Sequence, residues 1–214
     1  MIKIIPTNFA LNKKEFENKL IKLKFSKNIH LDFMDGVFTS KKSVSFENMN
    51  YIEKYSDKNF EIHLMAYNPI KYLENLIKYK INKVLIQIEV FNNELDLIDT
   101  IKTFKNNNIK VFLVLNPKTN INKVKSFLKI VDGVMLMSVV PGKEGQKFIE
   151  TTFEKIKLLR KLDKNILIQL DGGINEKNIF KFKDSSINIL SIGSYISSSE
   201  NPKLNFKKIV NILN

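Results

Sequence analysis

Cysteine is missing from this 214-residue chain, and arginine is nearly so: of 35 basic residues only Arg160 is not lysine. Without cysteine there is neither a disulfide frame nor a thiolate site. Without arginine's planar fork to grip phosphates and guanine edges, the net charge of +13 does not read as a nucleic-acid surface. The lysines alternate with glutamate and asparagine along the polar segments, an excess charge suited to drawing in a small anionic metabolite. No apolar run approaches the length needed to cross a membrane, and the opening MIKIIPTNFA lacks the long apolar core of a signal peptide. The expectation is a cytoplasmic protein that engages neither nucleic acid nor membrane. No glycine-rich dinucleotide fingerprint follows the first apolar run, which weakens a doubly wound nucleotide-binding fold.

What the chain does have is repetition. Short apolar runs rich in β-branched residues recur at 2–6, 29–34, 60–65, 83–89, 110–116, 133–139, 166–171 and 187–193. Between them lie lysine-rich segments with apolar residues at helical spacing, such as 14–24, 69–80 and 153–162. Strand then helix, eight times, predicts an α/β protein: a compact single-domain (β/α)8 TIM barrel occupying residues 1–214. Such barrels typically need ~250 residues, so the loops here must be short.

Both histidines fall inside strands, in IHLDFMDG (29–36) and EIHLM (61–65). Side chains two apart share a strand face, so His30, Asp32 and Met34 project together, as do His63 and Met65. Asp171 closes the seventh strand before Gly172 and Gly173. Taken singly, a strand histidine is a satisfied core residue and an aspartate before Gly-Gly is a turn former. Together they are harder to dismiss, because a charged Asp32 in an apolar strand costs several kcal/mol unless paired or metal-bound. Two imidazoles and two carboxylates at one rim make an N/O set for a divalent transition metal, zinc foremost, with manganese, iron or cobalt as alternatives.

A second group resembles a phosphate grip: Gly142 and Gly145 after the sixth strand, Gly172 and Gly173 after the seventh, Gly193 and Ser194 after the eighth. Glycines let backbone N–H groups approach an anion, and the late loops of such barrels often bind phosphate. Met34, Met65 and Met137 form a third group. Methionines are usually core filler, but two of these share a face with a proposed ligand and would line a reacting centre with water-excluding surface.

In order, His30–Gly36, His63–Met65, Leu115–Thr119, Met137–Ile149, Asp171–Ile174 and Gly193–Ser194 resemble the ribulose-phosphate 3-epimerase family over nearly the whole chain. The resemblance implies a barrel that interconverts D-ribulose 5-phosphate and D-xylulose 5-phosphate in the pentose phosphate pathway. It implies that His30, Asp32, His63 and Asp171 hold a metal, and that Asp32 and Asp171 are the acid/base pair on opposite faces of the sugar. Met34, Met65 and Met137 would surround the intermediate, the six loop positions would hold phosphate, and a homo-oligomer would be usual. Inverting a carbon beside a ketone fits these residue types: it needs one carboxylate on each face and a stabiliser for the enediolate charge.

Departures fall in the substrate loops. Pro6 stands where a pocket serine is expected, and Thr7, one residue on, should point to the opposite face. Val140 replaces an asparagine, PGKEGQ replaces a more glycine-rich loop, and Gln87 stands where a histidine is common. In that loop Lys143 offers phosphate a positive partner, whereas Glu144 would repel it. A 3-epimerase of a longer ketose phosphate, such as D-allulose 6-phosphate, is the nearest rival reading, and a non-catalytic phosphosugar-binding barrel the next.

Overall fold

Residues 1–213 are described by a computed structural model. Eight strands form: β1 (Lys3–Asn8), β2 (Asn28–Met34), β3 (Asn59–Met65), β4 (Lys83–Gln87), β5 (Lys110–Leu115), β6 (Gly133–Met137), β7 (Leu167–Asp171) and β8 (Ile189–Ile192). Each pairs in parallel with its sequence neighbour, and β8 closes on β1 to complete a barrel. All eight apolar runs are thus strands of one (β/α)8 cylinder. They are buried on both faces, which is why they read as near-continuous hydrophobic stretches.

The helices are α1 (Lys13–Leu23), α2 (Leu73–Lys78), α3 (Glu94–Asn106), α4 (Thr152–Leu162), α5 (Ser194–Ser197) and α6 (Pro202–Leu213). Helix α1 starts where Asn12 accepts the Glu15 N–H at 3.0 Å while the Glu15 carboxylate accepts the Leu11 N–H at 2.9 Å. This reciprocal cap fixes the chain's exit from β1. The expected alternation of strand and α-helix is not uniform. After β2, β5 and β7 the connections are 3-10 turns, at Phe46–Tyr55, Ile121–Phe127 and Ile179–Phe182. A 3-10 turn rises ~2.0 Å per residue against ~1.5 Å for an α-helix, so it spans the barrel's height with fewer residues. A short chain gains from that economy.

Alternate strand residues separate two cores. Ile4, Leu31, Ile62, Val84 and Leu190 belong to the outer core beneath the helices. Ile5, Leu85, Phe112, Val114, Met135, Met137 and Ile189 form an apolar cluster inside the barrel. Buried polar side chains share that interior, among them His30, Glu61, Lys83, Gln169 and Ser191. No helix among the described residues is long and apolar enough to cross a membrane.

The floor of the barrel depends on one small residue. The Phe112 ring lies where a Gly133 side chain would be: a Cβ there would meet the ring at 2.4 Å and the Leu167 carbonyl at 2.8 Å. Gly133→Ala should therefore destabilise the protein by about 1–3 kcal/mol, the usual cost of overpacking, read as a lower urea midpoint with an unchanged slope.

Candidate active site

Parallel pairing of β2 with β3 sets Asp32 beside His63 and His30 beside Glu61. Since β2, β3 and β7 all point the same way, their inward-facing residues near the strand ends meet at one rim. One ligand atom from each of His30, Asp32, His63 and Asp171 can be chosen so that all lie within 4.8 Å of one another. The four residues are almost completely buried.

The donor atoms are poised for something between them. His30 Nε2 and His63 Nδ1 each lie 3.3 Å from Asp32 Oδ1, yet all three atoms are buried without a hydrogen bond of acceptable geometry. Leaving a buried polar atom unpaired costs on the order of 1–3 kcal/mol. Three such atoms turned toward one point, in a set of two imidazoles and two carboxylates, fit a divalent cation.

The far side of each imidazole fixes which nitrogen is free. His30 Nδ1–H donates to Glu61 Oε1 at 2.6 Å, which leaves Nε2 as the nitrogen turned toward Asp32. The Gln87 amide lies 2.8 Å from His63 Nε2, with its Oε1 otherwise unpaired. Because the two ends of an amide are interchangeable in placement, turning it lets Oε1 accept the Nε2–H proton and frees Nδ1. Gln87 thus acts through His63, outside the ligand set.

Beneath His30 a ring of buried polar groups closes on itself. Lys83 Nζ donates to Glu61 Oε2 at 2.8 Å and to Gln169 Oε1 at 2.6 Å. Gln169 Nε2 donates to Glu61 Oε1 at 2.6 Å and to Ser191 Oγ at 2.7 Å. The Lys83 ammonium also sits 3.8 Å from the centre of the Phe112 ring. Glu61, Lys83, Gln169 and Ser191 were not among the residues expected to matter. The strand alternation that singles out His63 and Asp171 also places Glu61 and Gln169 on their faces, two residues earlier. The partnership across strands is the part that no local pattern carries.

Burial and charge set opposed proton affinities. Burial works against ionisation of Asp32, but the adjacent His30 and His63 imidazoles, each 3.3 Å away, hold its carboxyl far below the ordinary range. Burial, then the Asp32 charge, pushes Asp171 up to about 7. Burial pulls both imidazoles down; in His30 the Asp32 and Glu61 carboxylates overcome it and raise the value to about 10, while His63 stays lowered. Glu61, despite burial, falls to about 2 through His30 and Lys83.

Above the cluster opens a cavity of roughly 300 Å3. Asp32 and Asp171 both line it, and Met65, Met137, Val139 and Phe9 supply apolar wall. Met34 is not part of that wall. It is fully buried against Phe9 and Met65 and supports them from behind. Gly142, Gly145, Gly172, Gly173, Gly193 and Ser194 all line the cavity. At Gly173 (φ +67°) an added Cβ would meet the Phe148 backbone nitrogen at 2.5 Å, so glycine is required both for conformation and for space. Ser138 pins this rim, its hydroxyl donating to the Gly172 carbonyl at 2.7 Å.

Two expectations from the sequence change here. Thr7 lines the cavity with an unpaired hydroxyl oxygen instead of facing away. Pro6 is the residue turned outward, since Ile5 and Thr7 occupy the inner face of β1. The Leu115–Thr119 motif lies outside the cavity and serves the scaffold: Glu89 accepts the Asn116 N–H at 2.8 Å, and Lys155 donates to the Asn116 and Thr119 carbonyls. Asp35 likewise caps a loop, accepting the Val37, Phe38 and Tyr67 N–H groups.

The family model described as "Ribulose-phosphate 3 epimerase family" matches residues 2–197. The chain belongs to the ribulose-phosphate 3-epimerase family. Among its relatives, the ribulose-phosphate 3-epimerase of Buchnera aphidicola is 35% identical, covering 86% of this chain and 83% of its own. That of Aquifex aeolicus is 31% identical over 86% and 84% respectively. The chain is therefore an enzyme of the isomerase class, an epimerase. Solved structures at lower identity share the fold. The KGPDC of Streptococcus mutans has a TM-score of 0.75 at 12% identity, covering 100% of this chain and 97% of its own. The 3-hexulose-6-phosphate synthase of Salmonella typhimurium has a TM-score of 0.73 at 16% identity, covering 99% and 98%.

The geometry of this epimerase makes two outcomes measurable. Glu61→Gln should weaken metal affinity roughly 10- to 100-fold, measured by competition with a chromophoric chelator, because it loosens the group that orients His30. Asp171 binds its proton more tightly folded than unfolded, so in chelator-treated protein it costs no stability below its unfolded value near 3.8 and an increasing amount as pH rises toward about 7. Asp171→Asn should accordingly raise the apoprotein's melting temperature more at pH 8 than at pH 5; an equal or reversed effect would contradict the assignment.

Proposed function

We propose that this epimerase interconverts D-ribulose 5-phosphate and D-xylulose 5-phosphate, using Asp32 and Asp171 as its acid/base pair. The observation that carries the reading is the convergence of His30, Asp32, His63 and Asp171 within 4.8 Å at the mouth of the barrel. The names of the relatives supply the substrate.

His30, Asp32, His63 and Asp171 would hold a divalent cation, zinc foremost, given two nitrogen and two oxygen donors. Such an ion, when bound, supplies Lewis-acid stabilisation of the negative charge that develops on the sugar oxygens. The proton transfers belong to the carboxylates. Asp32 comes from β2 and Asp171 from β7, with β1 and β8 between them, and both line the cavity, a placement that supports approach to a bound sugar from two sides. One takes the proton from carbon 3, leaving a planar enediolate, and the other returns a proton to the opposite face. Their environments push their proton affinities apart, which suits a pair in which one begins as base and the other as acid. Reversing the reaction exchanges the roles.

Met65 and Met137 keep bulk water from the carbanionic intermediate. The backbone around Gly172, Gly173 and Gly193, with the Ser194 hydroxyl, offers donors for the phosphate. Remote phosphate binding anchors the sugar so that carbon 3 lies between the two aspartates.

Asp32→Asn and Asp171→Asn should each lower epimerase turnover by roughly 10²- to 10⁴-fold with the circular dichroism spectrum unchanged. Chelation should abolish turnover, and added zinc should restore it. Turnover within twofold of the parent in either variant would remove the two-carboxylate mechanism. Side-by-side assay of D-allulose 6-phosphate tests the substrate; faster turnover of the longer sugar would transfer the assignment to it.

A further inference from the structure

The cavity assigned above to phosphate already contains an anion of the chain's own. In the loop between β6 and α4, Lys143 is exposed while Glu144 is turned toward the cavity that both line. Glu144 Oε1 is buried without a partner and lies 3.6 Å from where a Gly193 Cβ would stand, against the Gly193–Ser194 turn. Glu144 Oε2 is 3.1 Å from Lys19 Nζ. Lys19 comes from α1, 125 residues away, and its side chain is only 10% exposed. It donates also to the Phe9 carbonyl at 2.5 Å and pairs with Glu15 at 3.1 Å.

Glu144 sits awkwardly. The Lys19 ammonium is shared between the Glu15 and Glu144 carboxylates, and Glu144 keeps one idle oxygen. Burial raises the Glu144 proton affinity, Lys19 opposes the rise, and the charges of Asp32 and Glu15 add to it. A phosphate monoester carries a charge of about −1.5 to −2 and three acceptor oxygens, so it satisfies the same surroundings more fully. Two anions in one enclosed cavity repel each other.

We propose that Glu144 is a resident counter-ion of the phosphate subsite: an incoming phosphoryl group displaces its carboxylate and takes Lys19 as its cationic partner. The proposal rests on the phosphate reading of the glycine loops. It reverses the roles expected within PGKEGQ, since the useful cation is Lys19 from α1 and not Lys143. It also makes the carboxylate a selectivity device, because a weak or singly charged anion competes poorly with an ion pair already in place.

Calorimetric titration of the full-length protein with inorganic phosphate tests this. Glu144→Gln should bind phosphate roughly tenfold more tightly, and Lys19→Met roughly tenfold more weakly, the scale of one charge-assisted contact. Lys19→Arg, which keeps the charge, should restore much of the loss. In turnover of D-ribulose 5-phosphate, KM should move in the same directions while kcat changes less. Unchanged or weaker phosphate binding by Glu144→Gln would overturn the proposal, as would parent-like binding by Lys19→Met. Should Lys19→Met fail to fold, Glu144→Gln alone decides. Phosphate binding does not require epimerisation, so the two readings fail separately. Shifted affinities without turnover of the pentulose phosphate would sink only the substrate; turnover with unshifted affinities would sink only the exchange.

Discussion

Asp32 is the residue on which the site turns. Its buried carboxylate stands between two imidazole nitrogens that have no other partner, and it stays ionised only because those groups surround it. Burial, and then the same charge, raise Asp171, so enclosure and one carboxylate together separate the proton affinities of the two. A solvated site could not do this, since water would screen the aspartates from each other. Enclosure by apolar residues of the barrel interior therefore helps to set these proton affinities.

Keeping charges in such a place requires support from below. Breaking a buried ion pair commonly costs about 3–5 kcal/mol, so a lone Glu61 or Lys83 would be a liability. Together with Gln169 and Ser191 they form a ring in which the donors and acceptors meet one another, and only His30 Nδ1–H is taken from outside it. That ring converts a flexible imidazole into one with a defined free nitrogen. Gln87 does the same for His63 with a single amide. The polar interior is continuous from the barrel floor, where Lys83 covers Phe112, to the cavity mouth.

The mouth follows a different logic. Its glycines are set by close approach and positive φ, and Ser138 ties the ends of β6 and β7 together beneath them. The loop above is charged, and its inward carboxylate is balanced by a lysine 125 positions earlier in the chain. The lysine excess that makes the whole chain basic acts here through one buried ammonium, not through a general surface field.

Eight strands and the cluster of His30, Asp32, His63 and Asp171 were legible in the sequence because both depend on periodicity. Parallel barrel strands are buried on two faces and appear as apolar runs, so His30, Asp32, His63 and Asp171 stood out as polar exceptions near the ends of those runs. Which connections would be 3-10 turns was not legible, because that choice depends on the space between strand ends. The tertiary structure alone decided that Thr7 faces in, that Met34 stands behind the wall, and that Glu61, Lys83 and Gln169 form one network. It alone brought Lys19 to Glu144. Local pattern determines which way a side chain faces within its own strand; only closure of the barrel brings together residues 22, 108 or 125 positions apart, and hydrogen bonds and ion pairs act at that contact distance.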